Sequence, residues 1–504
     1  VAPTPGSIRL RSATGRGVLV ATVLGSGLAM LDSTVVNVAL PHIGHDLSAD
    51  LAGLQWTSTG YTLTLAALIL LGGSLGDRYG RRKVFLIGVV WFAVASALCG
   101  VAPSMPVLIA ARLLQGVGGA LLTPGSLALI QSTYHPDDRA RAIGAWSGLG
   151  GVATAIGPFV GGWLVDAASW RFVFYLNLPL AAAVVIVALR YVPESRDTTA
   201  QGFDIPGAVL GALGLAGITY ALVEAPEKGG SPVVLGAAVA GVLALVAFVL
   251  VERRSRHPMM PPDLFRSTTF SAVNAVTFMV YAALGGMIFF LVLQLQTVSG
   301  FSALAAGIAL LPFTVLMLLL SATSGSIAQK IGPRPQLIIG PLVAAVGALL
   351  LLRVGPDANY WTDVLPGVLL VGLGMTTLVA PLTSTVLAAV ATRHAGVASG
   401  VNNAVARAAS LLAVAALPLV AGLSGAAYKQ PTAFSHGYRI AMVVCAGLFL
   451  LGTVLSALLV RRPAEVPTER VPERHVCCEV SGPPIEVGRP AGTARSEPAG
   501  TSAD

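Results

Sequence analysis

The sequence predicts an all-α membrane protein, built as two six-helix bundles joined by two inserted helices. Three observations lead there. Of the 504 residues 55% are hydrophobic and only 11% charged, with mean hydropathy +0.79, whereas a soluble domain carries roughly 25% charged residues. The apolar residues gather into fourteen runs, each near the ~20 residues that a helix needs to cross a bilayer. A loop pattern from the first half returns in the second. Together these exclude an ordinary soluble enzyme and a disordered chain, which needs few apolar groups.

The runs follow in order. A short basic arm (1–16) without an A-x-A cleavage pattern leads into Gly17–Leu40, which reads as an uncleaved first helix. Leu54–Leu75 and Val84–Val101 flank a basic loop, Ser104–Ile130 holds a lone arginine, and Ala142–Val165 is rich in glycine. Phe172–Val192 closes the first bundle (17–192). Ile205–Val223 and Pro232–Val251 form the inserted pair, within 193–268. The second bundle (269–461) comprises Phe270–Gln294, Ala303–Ile327, Leu337–Leu352, Asp363–Ala391, Val397–Leu423 and Tyr438–Val460. The Pro-, Glu- and Gly-rich remainder (462–504) reads as a disordered tail. The 57 glycines and 32 prolines suit a bilayer, where Gly lets helices approach and neighbours re-satisfy a backbone interrupted by Pro.

Loop charge sets the orientation. An even number of spans puts both ends of the chain on one side, and that side holds twenty Lys/Arg before the tail is counted. The other side holds five: Arg171, Lys228, Arg353, Lys429 and Arg439. Positive loops stay cytoplasmic, so a multi-pass protein of the cytoplasmic (inner) membrane is expected, with both termini in the cytoplasm. The net charge of +8 therefore reflects topology and gives no support to nucleic-acid binding.

Cofactor chemistry finds no foothold. The four cysteines (Cys99, Cys445, Cys477, Cys478) lack metal-ligand or disulfide spacing, and His475 beside the last two reads as part of a loose tail. No Walker loop is present, which argues against ATP drive. No nucleophile–base constellation suggests an enzyme. The expectation is no cofactor, no metal, and a lipid bilayer as the setting.

The second half repeats the first. GSLGDRYGRRK from Gly73 aligns with GSIAQKIGPRP from Gly325, matching Gly80 with Gly332 and Arg82 with Arg334. A weaker match pairs the segments from Arg139 and Arg393. Duplicated halves around a central site are how secondary transporters are built.

Four segments make the chain similar to a known family: LDSTVVNVALP (Leu31–Pro41), GGSLGDRYGRRK (Gly72–Lys83), RLLQGVGGALLTPG (Arg112–Gly125), and GPFVGGWL with WRFVFYLNLP (Gly157–Pro179). From about Leu31 to Val460 it resembles the major facilitator superfamily, in particular the fourteen-span drug:proton antiporter branch. That resemblance implies a major-facilitator fold and multidrug efflux, with export of amphipathic compounds by alternating access, driven by the proton gradient. A monomer is expected.

Asp32 is the only acid deep in an apolar run of the first half. Such a group must be paired, hydrated or protonated, at a cost of at least a few kcal/mol otherwise. Burial disfavours charge on a carboxyl group and a nearby cation favours it. Asp32 lies eight residues before the outer end of its run and Arg112 eight residues after the outer start of its own. At 1.5 Å per residue both sit ~12 Å deep, which permits a direct or water-bridged pair. The resemblance implies proton coupling for both residues, or cationic drug binding at Asp32; pairing that merely fixes helix packing is the plainer alternative.

The resemblance also makes the loop of Gly73, Gly76, Asp77, Arg78, Gly80, Arg81 and Arg82 a conformational latch, where the residues alone indicate a positive anchor around a tight turn. Gly144, Gly157, Pro158, Gly161 and Gly162 match the antiporter motif, except that Ala153 replaces a glycine; small residues of this kind also serve ordinary close packing. Candidate cavity residues are Asn37, Trp56, Tyr61, Gln115, Tyr281, Gln294, Asn402 and Arg407, chosen as polar or aromatic groups within spans. Packing or lipid-interface roles are equally open to them. No acid lies well inside the last six runs, which argues against dicationic cargo, while Arg407 is compatible with an anionic or zwitterionic group or an interhelical pair. His42 and His45 read as exposed loop histidines. Rival readings are an exporter dedicated to one endogenous metabolite, antibiotic or lipid, a non-transporting receptor or enzyme, and an importer.

Overall fold

A computed structural model describes residues 8–196, 204–255, 258–390, 395–425 and 429–460. The expected disordered tail and its His475, Cys477 and Cys478 lie outside the described residues. Among the described residues fourteen helices are long and apolar enough to cross a membrane. In chain order they are α1 (Ala13–Asp46), α2 (Leu51–Tyr79), α3 (Arg81–Gly100), α4 (Met105–Thr133), α5 (Pro136–Ala167), α6 (Arg171–Tyr191), α7 (Ile205–Lys228), α8 (Pro232–Arg254), α9 (Thr268–Thr297), α10 (Ala303–Ile331), α11 (Arg334–Arg353), α12 (Tyr360–Ala388), α13 (Ala395–Val420) and α14 (Pro431–Leu459). Each coincides with one expected run. Helices extend past the apolar runs where the sequence caps them: α5 starts at Pro136, with Asp137 and Asp138 in its first turn, as suits the positive end of the helix dipole. α14 starts seven residues before its apolar run because Ser435 and His436 break up the hydropathy while the backbone is already helical.

Prolines set the breaks. α6 divides at Leu176 into Arg171–Tyr175 and Asn177–Tyr191, because Pro179 has no N–H to give the carbonyl of Tyr175. α10 divides at Leu310, where Pro312 likewise fails Ile308. α12 opens with a π turn, Tyr360–Val364, ahead of Pro366.

The helix pairings repeat between halves. In the first half α1 packs on α5 and α6, α4 on α2 and α3, and α3 on α6; in the second α9 packs on α13 and α14, α12 on α10 and α11, and α11 on α14. The duplication seen in two loops thus runs through the whole architecture. The halves meet through α1 with α9, α2 with α13, and α5 with α10. The inserted α7 and α8 pair with each other, and α7 lies against α2 and α13. α8 leaves Val233, Leu235, Val239 and Leu243 exposed, an outward apolar face that suits lipid.

From Ile8 onward the described part of the basic arm is docked. Ile8 forms a single β-bridge with Tyr134, Arg9 pairs with Asp137 at 3.1 Å, and the Leu10 amide donates to Asp138 at 3.0 Å.

Candidate functional site

The side on which α1 begins is here the terminus side, and the opposite one the far side. Between the halves lies a cavity of about 420 Å³ lined by α1, α2, α4, α5, α9, α10, α12 and α13, a volume that accommodates a drug-sized ligand. On the terminus side its lining residues Thr383, Leu387 and Asn403 are exposed. On the far side the halves are joined. Gln55 of α2 donates to the carbonyls of Val414 (2.7 Å) and Ala415 (3.1 Å) of α13. Gln296 of α9 donates to the Val38 carbonyl of α1 at 2.9 Å. Asp166 of α5 accepts from the Ala303 and Leu304 amides at 3.2 and 2.9 Å, capping the start of α10. The molecule is open to the terminus side and shut on the other.

Directly behind the cavity wall, Asp32 and Arg112 meet. Arg112 Nη1 donates to Asp32 Oδ2 at 2.5 Å, and both side chains are almost wholly buried. Gln115 and Asn177 each donate to Asp32 Oδ1, at 2.8 and 3.0 Å, and both also donate to Ser96 Oγ. Arg112 Nε donates to the Thr57 carbonyl at 3.0 Å, and Nη1 also reaches Gln115 Oε1 at 2.6 Å. The guanidinium lies 4.7 Å from the Tyr61 ring centroid, a cation–π contact. Arg112 and Tyr61 line the cavity and Asp32 does not, so the arginine separates the acid from cargo space. Five helices supply this network: α1, α2, α3, α4 and α6.

Of the expected cavity residues, Asn37, Tyr61, Tyr281, Asn402 and Arg407 line it. Three lie elsewhere. Gln115 faces inward to Asp32. Trp56 turns to the inserted pair, donating to Glu224 at 3.1 Å. Gln294 is buried within the second half, donating to the Val354 carbonyl at 3.2 Å. Being polar within a span does not fix which way a side chain faces; helix phase does. Sequence reasoning also missed Asn177 and Ser96. The available signal was the Leu-Asn-Leu-Pro stretch, an amide inside an apolar run just ahead of a proline.

The motif on α5 splits by face. Added Cβ atoms at Gly157 and Gly161 would strike Thr34 and Val35 of α1, and one at Gly162 would strike Ala303 and Leu304 of α10. A Cβ added at Gly27 of α1 would meet the Ala153 Cβ at 3.4 Å, an ordinary contact, so the alanine fits at this crossing. Pro158 lines the cavity and its carbonyl lies against Gly307 of α10. Gly144 faces open space and joins none of these crossings.

Contacts from its own half hold the expected latch loop. Gly80 turns at φ 113°, and Gly76 is buried beside it. Asp77 takes Arg81 Nε at 2.8 Å, and Arg78 lies over the Tyr79 ring. Glu194, beyond α6, accepts from the Arg82 and Lys83 amides, both at 3.1 Å, capping α3. Arg82 also reaches the Leu189 carbonyl. Gly73 makes ordinary contact with Pro124.

Two halves of matching helix order around a central cavity, with a buried ion pair behind its wall, define the architecture of a secondary membrane transporter. Residues 22–414 match the family model "Major Facilitator Superfamily", and the chain belongs to that family. The puromycin resistance protein of Streptomyces alboniger is 37% identical over 468 residues, covering 90% of this chain and 92% of that one. The methylenomycin A resistance protein of Bacillus subtilis is 37% identical (83% and 90% covered), and the tetracenomycin C resistance and export protein of Streptomyces glaucescens 36% (79% and 74%). Among solved structures, a POT family transporter in complex with a thioalcohol-conjugated peptide aligns with TM-score 0.69 at 15% identity, covering 90% of this chain and 99% of that one. A bacterial homologue of the human lysosomal transporter Spinster, inward-facing and unoccupied, aligns with TM-score 0.62 at 19% identity (90% and 99%).

Proposed function

We propose that this chain is a proton-coupled antiporter of the cytoplasmic membrane that exports amphipathic drugs or antibiotics by alternating access, with both termini in the cytoplasm. The observation that carries the reading is the Asp32–Arg112 pair set directly behind the cavity wall. A proton reaching Asp32 neutralises the carboxylate and releases Arg112 from its counter-charge. Arg112 then bears on the cavity uncompensated, which alters how cargo is held. Loss of that proton on the terminus side restores the pair. The open terminus side corresponds to the state that takes cargo from the cytoplasm. The relatives' names, which concern resistance to puromycin and methylenomycin A and export of tetracenomycin C, support drug or antibiotic efflux.

A dedicated cargo is the second reading, favoured because each of those three names refers to one compound. The test is a screen of amphipathic antibiotics in proteoliposomes loaded with a pH indicator. Net cargo movement against its gradient, accompanied by opposite proton flow, is expected; a broad panel moving supports multidrug efflux, and a single active compound the dedicated reading. Movement of every transported compound without proton flow would overturn the coupling.

A further inference from the structure

The charges that line the cavity are both positive. Arg112 and Arg407 are present, and no carboxylate stands among the lining residues. The two arginines differ in how far their charge is met. Arg112 is compensated by Asp32 and hydrogen-bonded to Thr57 and Gln115. Arg407 forms no ion pair among the described residues, and its Nε is buried without a hydrogen-bond partner. An uncompensated guanidinium within a membrane span is costly, and such residues characteristically pair or mark a substrate path.

Its surroundings are arranged to receive an anion. Ser399, Asn403, Arg407 and Ser410 lie on the cavity face of α13 at helical spacing, so one stripe offers hydrogen-bond donors above and below the charge. Asn403 is exposed to the open terminus side. Tyr61 and Tyr281, from the two opposite halves, line the same cavity as Arg407. Leu284, Ile288, Phe313 and Val371 give the same cavity apolar wall.

We propose that Arg407 is the anion-recognition group of the cavity, and that the preferred cargo is an amphipathic monoanion, its acid group on Arg407 and its apolar body against the α9, α10 and α12 wall. A guanidinium fits a planar carboxylate through paired N–H donors. The inference rests on the export reading only in identifying the cavity as the cargo site; it fixes the chemical class that reading leaves open.

The test uses three fluorescent probes of one shape and different charge: anthracene-9-carboxylate, anthracene-9-carboxamide and anthracene-9-methylammonium. Their binding to the full chain in nanodiscs is measured at neutral pH, for wild type, Arg407→Gln and Arg407→Lys. Wild type is expected to bind the carboxylate about tenfold more tightly than the amide, as for a charged hydrogen bond, and the ammonium most weakly. Arg407→Gln should bring the carboxylate down to the amide, and Arg407→Lys, which keeps the charge, should retain part of the preference and reports on folding. Preference for the ammonium or the amide in wild type, no binding of the carboxylate, or an undiminished carboxylate preference in Arg407→Gln would each overturn the proposal. The export reading fails separately: an imposed pH gradient that moves no probe, with carboxylate selectivity in binding intact, leaves the anion site standing.

Discussion

Asp32 illustrates how a membrane span holds a charge. Its carboxylate is held by three N–H donors, from Arg112, Gln115 and Asn177, so each oxygen is met and the ion pair is anchored at both ends. Removing one member of a buried pair strands the other, at about 3–5 kcal/mol. Arg112→Gln should therefore lower thermal stability in detergent markedly, and adding Asp32→Asn should recover most of the loss. Additive losses in the double variant would show that the two groups do not share their energy. Depth permitted the pairing without requiring it, since counting residues from the ends of two apolar runs put both groups at one level but left their adjacency open. Gln115 was legible as polar but not as a partner, because run-reading carries no helix phase. Asn177 was hidden by a stretch that hydropathy treats as uniform, and its position depends on the helix break at Leu176 that Pro179 imposes.

At the scale of elements, closure of the far side depends on α5 crossing α10 without side chains between them. Gly162 faces the Ala303–Leu304 backbone, and Gly307 faces the Pro158 carbonyl. Lipid-embedded helices associate chiefly by close packing, so such contacts decide which state is populated. Gly307→Val should hold α10 off α5 and abolish transport. Spin labels at the exposed far-side positions Ala168 and Asp357 should then report a longer distance than in the wild-type background; an unchanged distance with full transport would refute this role for the crossing. The glycines of α5 were visible in the sequence as a group, but not their division between α1 and α10, nor the open space beside Gly144. Glu194 escaped notice for a related reason. It lies just past a span end, where a lone acid has no pattern, yet it caps α3 and ties the Gly80 turn to the end of α6.

Across the whole molecule, one pairing scheme is used twice, and the buried ion pair sits in only one of its two copies. The first half carries the ion pair; the second carries Arg407 and no acid on the cavity. Fourteen spans and the duplication were readable because a bilayer imposes length and apolarity on every crossing segment. The packing of α7 against both α2 and α13 was not, since an inserted pair has no counterpart in the repeat. On the proposed function this asymmetry divides the labour, with proton exchange in one half and cargo recognition largely in the other, and alternating access joins them because Arg112, the partner of Asp32, lines the same cavity as Arg407. Energy passes from one to the other only if Asp32 changes its protonation as the molecule opens alternately to each side.

That claim meets its most direct test in vesicles carrying an imposed pH gradient, with Asp32→Asn compared with wild type at equal, folded incorporation. Wild type should concentrate cargo against its gradient with matching proton flow, and Asp32→Asn should lose both. Full gradient-driven transport by Asp32→Asn would contradict the account.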